Sequence, residues 1–561
     1  MNTAIPLRSP ADVMRLSRMG SMHATRLSFM PTLLRRMRRE NWHFERIRFD
    51  LDKDGFGTTV LAVHTPDRIY SLIAFSHALD PQQRTDRVIA EAWDATFNLF
   101  DGVPTDADIE RLSGNTPLQE SGRFLASELV LARANKSVRL FNNVVECLAK
   151  GEQPDIDMLC EVGYLMRTTA VYGNGKFGCA DRARTANRDE TQSAFQLEMI
   201  AVYLIRWFTI CLVEHVASVK GGEQAVPLDP QLCRYLGIGN ATGLGMAPFL
   251  IRHPKLIHRW CKARETALAR VRSAALDDNT IIEKFKSRLD HIRKHLVEWN
   301  VADEIQQQRV LILRNDMTHF AVSLDNEIDT NDSSFWENIF QHSKQYSLEG
   351  QELVVSIMLE FNGHLIDDLA DTLFDEERML LNPAMPIGVL RELLKTHYQW
   401  VNSFDFSDQK ASDRFWYYSE DKIEPRLGKR YEEEGAELEM PLGIAYSIHL
   451  LGVALTDWLD DQTVGEFCMQ HPEHRHIIRR AQSLEQLDYA EVQDNLLDTT
   501  MRPIDLLRFK LAFFGASKFD PKSDLWTRIT MYQGAPMPHE IPTANLDSWM
   551  FPVSPGAAAA P

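Results

Sequence analysis

Two hydrophobic patterns divide this chain. Residues 44–76 alternate: Phe44, Ile47, Phe49 and Leu51 lead to the turn Asp52-Lys53-Asp54-Gly55. Thr58–His64 follows, and after a Pro66-Asp67 turn comes Arg68–Phe75, so a three-stranded antiparallel meander is predicted. Beyond residue 81 the apolar spacing is helical. It predicts helices at about 86–100, 118–149, 155–170, 192–219, 230–236, 246–275, 279–298, 302–323, 333–343, 348–375, 387–403, 441–458, 463–470, 474–482, 489–495 and 502–514. Gly, Pro, Asn and Asp punctuate them, as at Gly221-Gly222 and Asn382-Pro383. The expected fold is mainly α: a large multi-helix bundle with a small N-terminal antiparallel β meander.

The helix at 192–219 organises this picture. Phe195, Leu197, Met199, Ile200, Val202, Leu204, Ile205, Trp207, Phe208, Ile210, Leu212 and Val213 cover every face, the mark of a helix surrounded by others. Glu198, Arg206, Glu214 and His215 must then find partners inside, because an unpaired buried charge costs several kcal/mol. Glu198 and Arg206 interrupt the most apolar window, Phe195 to Val213, and argue against a membrane span.

Composition refines the reading. At 44% hydrophobic and 25% charged residues the chain has the balance of a globular protein, and 561 residues exceed what one core organises. The expected regions are an Arg-rich arm (1–43), the meander (44–80), a main helical bundle (81–400), a C-terminal helical region (401–545) and a disordered tail (546–561). The formal net charge of -18 disfavours nucleic acid and anionic membranes. That charge is uneven. Residues 1–49 hold ten arginines, no lysine and three acidic residues. Such a start resembles an organellar targeting peptide, which would place the protein in an organellar matrix. The preferred reading is an arm that docks on the acidic body of its own or a neighbouring subunit, in a cytoplasmic homo-oligomer. Seven cysteines without a Cys-x-x-Cys fit reduced thiols.

Two glycine-rich stretches flank the long helix. Gly173-Asn174-Gly175-Lys176-Phe177-Gly178 can expose backbone N–H groups as an anion nest, with Arg167, Tyr172 and Arg182 nearby. Gly237-Ile-Gly-Asn240-Ala-Thr242-Gly-Leu-Gly245 superficially resembles a dinucleotide fingerprint, but a helical turn precedes it where a strand is required. Its glycines are read as allowing close helix approach, with Asn240 and Thr242 facing a pocket. On a helix, Asp316 could orient the imidazole of His319 for proton transfer. The segment Arg414 to Arg426 crowds Tyr417, Tyr418, Glu420 and Lys422 together, as a loop closing over a substrate would. Its Ser419-Glu-Asp-Lys422 resembles the Ser-x-x-Lys pair of serine β-lactamases, without their Lys-Thr-Gly strand.

Three further motifs suggest metals. Asp50-x-Asp52-x-Asp54-Gly55 resembles the start of an EF-hand loop, with Leu61 where the bidentate Glu belongs. Asp367-Asp368-x-x-Asp371 resembles the magnesium-diphosphate motif of class I terpene synthases and prenyltransferases, without a matching second motif. His471, His474 and His476 match no closed zinc spacing. No metal or cofactor is assigned. The functional expectation is an enzyme that binds a small anionic metabolite through Arg167, Asn174, Lys176 and their neighbours, with acid–base groups from 417–422 or His319. Large helical enzymes of the aspartase/fumarase type build sites this way, by fold-level analogy alone. The alternatives are a non-enzymatic partner-binding assembly and magnesium-dependent prenyl-diphosphate chemistry.

Overall fold

The computed structural model describes residues 5–19, 24–78, 93–114, 125–173, 195–240, 254–276, 280–328, 334–370, 380–402, 405, 416–418, 425–427, 437–439, 442–492, 510–523, 526–547 and 549–556. The protein is predominantly helical, and its strands form a sheet larger than a meander. In chain order come α1 (Phe29–Arg39), β1 (His43–Leu51), β2 (Gly57–His64), β3 (Ile69–Ala78), β4 (Trp93–Asp101), α2 (Asp106–Ser113), β5 (Glu128–Lys136), α3 (Val138–Ala149) and β6 (Tyr164–Gly173). They are followed by α4 (Gln196–Gly221), α5 (Pro230–Tyr235), β7 (Gly237–Asn240), α6 (Pro254–Ser273), α7 (Thr280–Glu298), α8 (Glu304–Asn326), α9 (Phe335–Ser343), α10 (Leu348–Phe361) and α11 (Ile387–His397). The C-terminal part adds the short strands β8 (Trp416–Tyr418), β9 (Pro425–Leu427) and β10 (Glu437–Glu439), helices α12 (Leu442–Ala454), α13 (Val464–Gln470) and α14 (Arg475–Ser483), and then β11 (Lys518–Ser523) and β12 (Trp526–Met531).

The predicted meander is present as β1–β3, but it continues through the whole N-terminal half. Nine strands form one sheet in the order β1-β2-β3-β4-β5-β6-β7-β12-β11. Neighbours are antiparallel except β6 and β7, which run parallel, so the sheet is mixed. Within the helices expected over 86–100, 118–149 and 155–170, residues 93–100, 128–136 and 164–170 belong to strands β4, β5 and β6. β5 is buried along nearly its full length, and a strand covered on both faces shows a continuous apolar run with no alternation to betray it.

Helix α4 is the expected long apolar helix, but it lies on this sheet rather than inside a bundle. Phe208 meets Phe97 of β4 edge-on at 5.4 Å, and Tyr203 and Trp207 meet Phe44 of β1. Helices α1 and α3 cover its other sides, with Phe29 stacked on Phe195 at 5.5 Å. It is long and apolar enough to cross a membrane, and it is spent as a core helix, 72% buried over its most apolar window. Its polar groups find local partners: Glu214 accepts from the Leu228 N–H at 3.1 Å, and His215 bonds the Asp52 carbonyl at 3.1 Å. Helices α6 to α10 form a second layer in which α6 packs on α9 and α10, and α7 on α8 and α10.

The arginine-rich arm docks on its own body. Arg8 bridges Glu265 and Glu352 at 2.7 Å each, Arg18 reaches Glu352 at 2.5 Å, and Arg26 grips Asp367 at 2.7 Å. Residues 549–556, expected to be disordered, are packed as well. Trp549, Met550 and Phe551 are buried, and Pro552 and Ser554 bond His295 and Glu298 of α7.

Candidate functional site

The pleat of β4 and β5 sorts their side chains into two faces. Ala95, Phe97 and Leu99, with Ala132 and Ala134, point to the side that α4 covers. The intervening residues, Thr96 and Asn98 on β4 and Arg133 and Asn135 on β5, point the other way. Thr96 lies directly opposite Arg133, Asn98 opposite Leu131, and Asn135 opposite Arg167 of β6. Directly opposed Cβ atoms in antiparallel strands lie ~5 Å apart, so these five polar side chains form one contiguous patch.

This patch is interior. Asn98 is 2% exposed, Thr96 6%, and Arg133 and Asn135 5% each, while Arg167 is half-buried. Toward β2 and β3 the same face turns apolar, where Val60, Ile73, Phe75 and Phe100 pack against Leu112 of α2. Glu128, across from Phe100, is held by Arg111 of α2. The polar half is different. The Thr96 hydroxyl and both polar atoms of the Asn98 amide are buried without a hydrogen-bond partner among the described residues. Leaving one such group unmade costs about 1–3 kcal/mol, and native proteins keep few of them except where water or a ligand completes the set.

The sheet also puts Gly173, at the end of β6, and Gly237–Asn240 on neighbouring strands. β6 and β7 are parallel neighbours, with Arg167 registered on Gly239 and Thr168 on Asn240, so both strands end on the same side. The carboxyl ends of adjacent parallel strands are where open sheets bind ligands. A bulge between Arg133 and Ala134 re-aims β6 next to this point, as bulges do near binding sites. The stretch Gly237–Asn240 is a strand, so its glycines do not serve helix packing. At Gly239 a Cβ would lie 2.6 Å from the Tyr164 ring, and at Gly237 one would lie 2.4 Å from the Met531 carbonyl.

The predicted site residues fall into three groups. Arg167 joins the buried patch. Asn240 lies at the parallel junction, where its amide donates to Thr168 Oγ1 at 3.3 Å and that hydroxyl donates to the Gly239 carbonyl at 3.2 Å. Tyr172 pairs by backbone with Leu131, and Tyr417 pairs with both Arg426 and Leu438 in the small sheet that also holds Tyr418. Asn174, Lys176, Arg182, Thr242, Arg414, Glu420 and Lys422 lie outside the described residues. The Asp316–His319 pair is not formed. Asp316 accepts from the Ser347 N–H at 3.1 Å and its hydroxyl at 2.5 Å, while His319 is exposed.

The metal-like motifs are occupied by protein groups. Asp52 accepts from the N–H groups of Asp54 and Phe56 as a hairpin turn, and Asp50 pairs with Arg48. Asp367 is held by Arg26 and Asp368 by Arg270. His471 stacks on Phe467. Thr96, Asn98, Arg133 and Asn135 escaped the sequence reading, although the alternation Ala-Thr-Phe-Asn-Leu at 95–99 carries the signal: polar residues on the second face of a strand too apolar to lie at the surface. Comparison with protein-family models, curated proteins and solved structures finds no match for this chain.

Proposed function

We propose that the polar half of the sheet's second face binds a small anionic metabolite. Arg133 and Arg167 would meet its carboxylate or phosphate, and Thr96 and Asn98 its hydroxyl or carbonyl groups. The reading rests on one observation: a buried amide, Asn98, without a hydrogen-bond partner among the described residues, beside a buried guanidinium. A fold that gained nothing from Asn98 would place an apolar side chain there at lower free energy. Acid–base chemistry on the bound metabolite is the accompanying enzymatic proposal, with Tyr417, Tyr418, Glu420 and Lys422 as its candidate groups. Asp316 and His319 drop out, because the aspartate is committed to Ser347. Assembly through the arm is not proposed, since Arg8, Arg18 and Arg26 are engaged within the chain. Diphosphate chemistry at Asp367 and Asp368 is not proposed either, since each carboxylate already faces an arginine.

The reading is tested by thermal denaturation of the full chain with inorganic phosphate, pyrophosphate and a series of dicarboxylic and tricarboxylic acids. A ligand at a hundred times its Kd stabilises the native state by about 2.7 kcal/mol, a clear rise in Tm. At least one anion should produce that rise in the wild type and none in Arg133→Met or Asn98→Leu. Asn98→Leu should itself unfold no more readily than the wild type, because it removes an unsatisfied amide. A wild type indifferent to every anion, or a rise that survives both substitutions, would sink the proposal.

A further inference from the structure

On the opposite face of the sheet, independent of the polar patch, is a cleft of about 510 Å³. Its walls come from the β1–β2 turn, the end of β5, the middle of α3 and the last turns of α4. The turn is fixed by sequence: Asp52 caps Asp54 and Phe56, Gly55 takes a positive φ of 80°, and His215 of α4 bonds the Asp52 carbonyl. This leaves Lys53 and Asp54 lining the cleft, facing Lys136, Phe141, Glu146 and Lys220.

Three amines and two carboxylates share the space. Lys220 and Glu146 make a loose, half-exposed pair at 3.6 Å. Lys136 is held more tightly, with Nζ 4.5 Å from the centre of the Phe141 ring. The volume is that of a small-molecule pocket, and its combination of one apolar wall with convergent polar groups is typical of such sites.

We propose that the cleft receives a small aldehyde or ketone bearing a phosphate or carboxylate, that Lys136 condenses with its carbonyl carbon, and that Lys53 and Lys220 attract the anionic group. The neutral Lys136 amine adds to the carbonyl carbon, and one N–H proton passes to the carbonyl oxygen. The resulting carbinolamine loses water and leaves a C=N bond. No oxidant or reductant is needed. Burial pushes the Lys136 amine down to about 8, with Asp54 pulling the other way. At pH 7 such an amine carries more free base than an ordinary lysine near 10.4. Lysines that form Schiff bases are activated by desolvation of this kind.

The experiment uses the full chain, pyridoxal phosphate as probe, borohydride to reduce any imine, and peptide mapping to place the label. Lys136 should be labelled first at pH 7, at least about tenfold faster than exposed lysines, in keeping with its free-base advantage. Its labelling rate should rise between pH 7 and 9 and then level off. Pyridoxal, the same aldehyde without the phosphate, should label it more slowly, and a Lys53→Gln/Lys220→Gln variant should erase that difference. Lys136→Arg keeps the positive charge over Phe141 and should remove the label while leaving the circular dichroism spectrum unchanged. Label spread over surface lysines in proportion to exposure would overturn the proposal, as would a Lys136 rate still climbing steeply above pH 9.

Discussion

The guanidinium of Arg206 donates from Nε to the carbonyl oxygen of Leu236 at 2.7 Å, at the end of helix α5. Its other nitrogens reach the carbonyls of Cys233, Arg234, Ala535 and Pro536 at 2.7–3.2 Å. A charge in the middle of an apolar helix is thus answered by backbone rather than by a carboxylate, and two of the acceptors belong to the last turn of α5, where the helix dipole is negative. Arg206→Met would take the guanidinium from all five carbonyls, of which Arg234 and Pro536 keep the Gly534 N–H and the Tyr203 hydroxyl as donors. We expect a loss of at least about 3 kcal/mol, read as a lower urea midpoint, because each buried acceptor left unmade costs about 1–3 kcal/mol. Arg206→Lys should recover little, since one ammonium cannot reproduce the planar fork. A midpoint within experimental error of wild type would refute this account.

Glu352 plays the complementary role for the arm. Its side chain is fully buried between Arg264, Arg8 and Arg18. Burial alone would raise its pKa, but the three guanidinium groups reverse that and hold the carboxyl well below the usual range. A depressed folded value stabilises the protein above the ordinary glutamate pKa, and the stabilisation is lost as pH falls through the folded value. Glu352→Gln should cost about 3–5 kcal/mol at neutral pH, the range for breaking a buried ion pair from one side. It should also flatten the acid side of the stability–pH curve. Because Arg18 would lose its carboxylate while Arg8 keeps Glu265, trypsin should cleave the variant faster around residues 15–18. Equal cleavage rates for the two proteins would show that the arm is held by something else.

Asp316 and His319 make a sharper contrast than their spacing suggested. The aspartate fixes Ser347, whose hydroxyl in turn accepts from the Gly350 N–H at 3.1 Å and caps helix α10. Ser347→Ala should therefore cost about 1 kcal/mol, the usual value of an N-cap. His319→Ala should shift stability by no more than about 0.5 kcal/mol, as expected for an exposed side chain without special contacts. Chemical denaturation of the two variants side by side decides the matter. A large effect at His319 would restore it to the list of functional residues.

The sequence carried the helices of the second layer and the first three strands clearly, because their apolar spacing is regular and turn residues such as Asp52–Gly55 and Pro66-Asp67 separate the strands. It failed at β5, whose residues are buried on both sides, and at β6, where Thr168 and Arg167 belong to opposite faces. β4 was legible in principle. Ala95, Phe97 and Leu99 alternate strictly with Thr96 and Asn98, yet the polar members are buried, so a reader expecting polar residues in water discounts the alternation. The arm was legible in part: ten arginines against three acids announced an acidic partner, while only coordinates could show that Glu265, Glu352 and Asp367 of the same chain supply it. The patch at Asn98 could not be assembled from sequence, since its members come from three strands spread over seventy residues of chain.

Gly239 ties the fold to the proposed site. It is registered on Arg167, and an added Cβ would fall 2.6–2.7 Å from three atoms of the Tyr164 ring. That ring is buried, 4% exposed, and cannot swing into solvent. Gly239→Ala must therefore push β7 away from β6. Overpacking of this kind costs about 1–3 kcal/mol. If β6 supplies Arg167 to a bound anion, the same displacement weakens that binding, so Gly239→Ala should lose stability and the anion-induced rise in Tm together. Shortening the ring's reach with Tyr164→Leu should restore part of both in the double variant, giving a favourable coupling of about 0.5–3 kcal/mol between two residues in contact. Additive losses in the double variant would mean that the tyrosine does not set the spacing of these two strands.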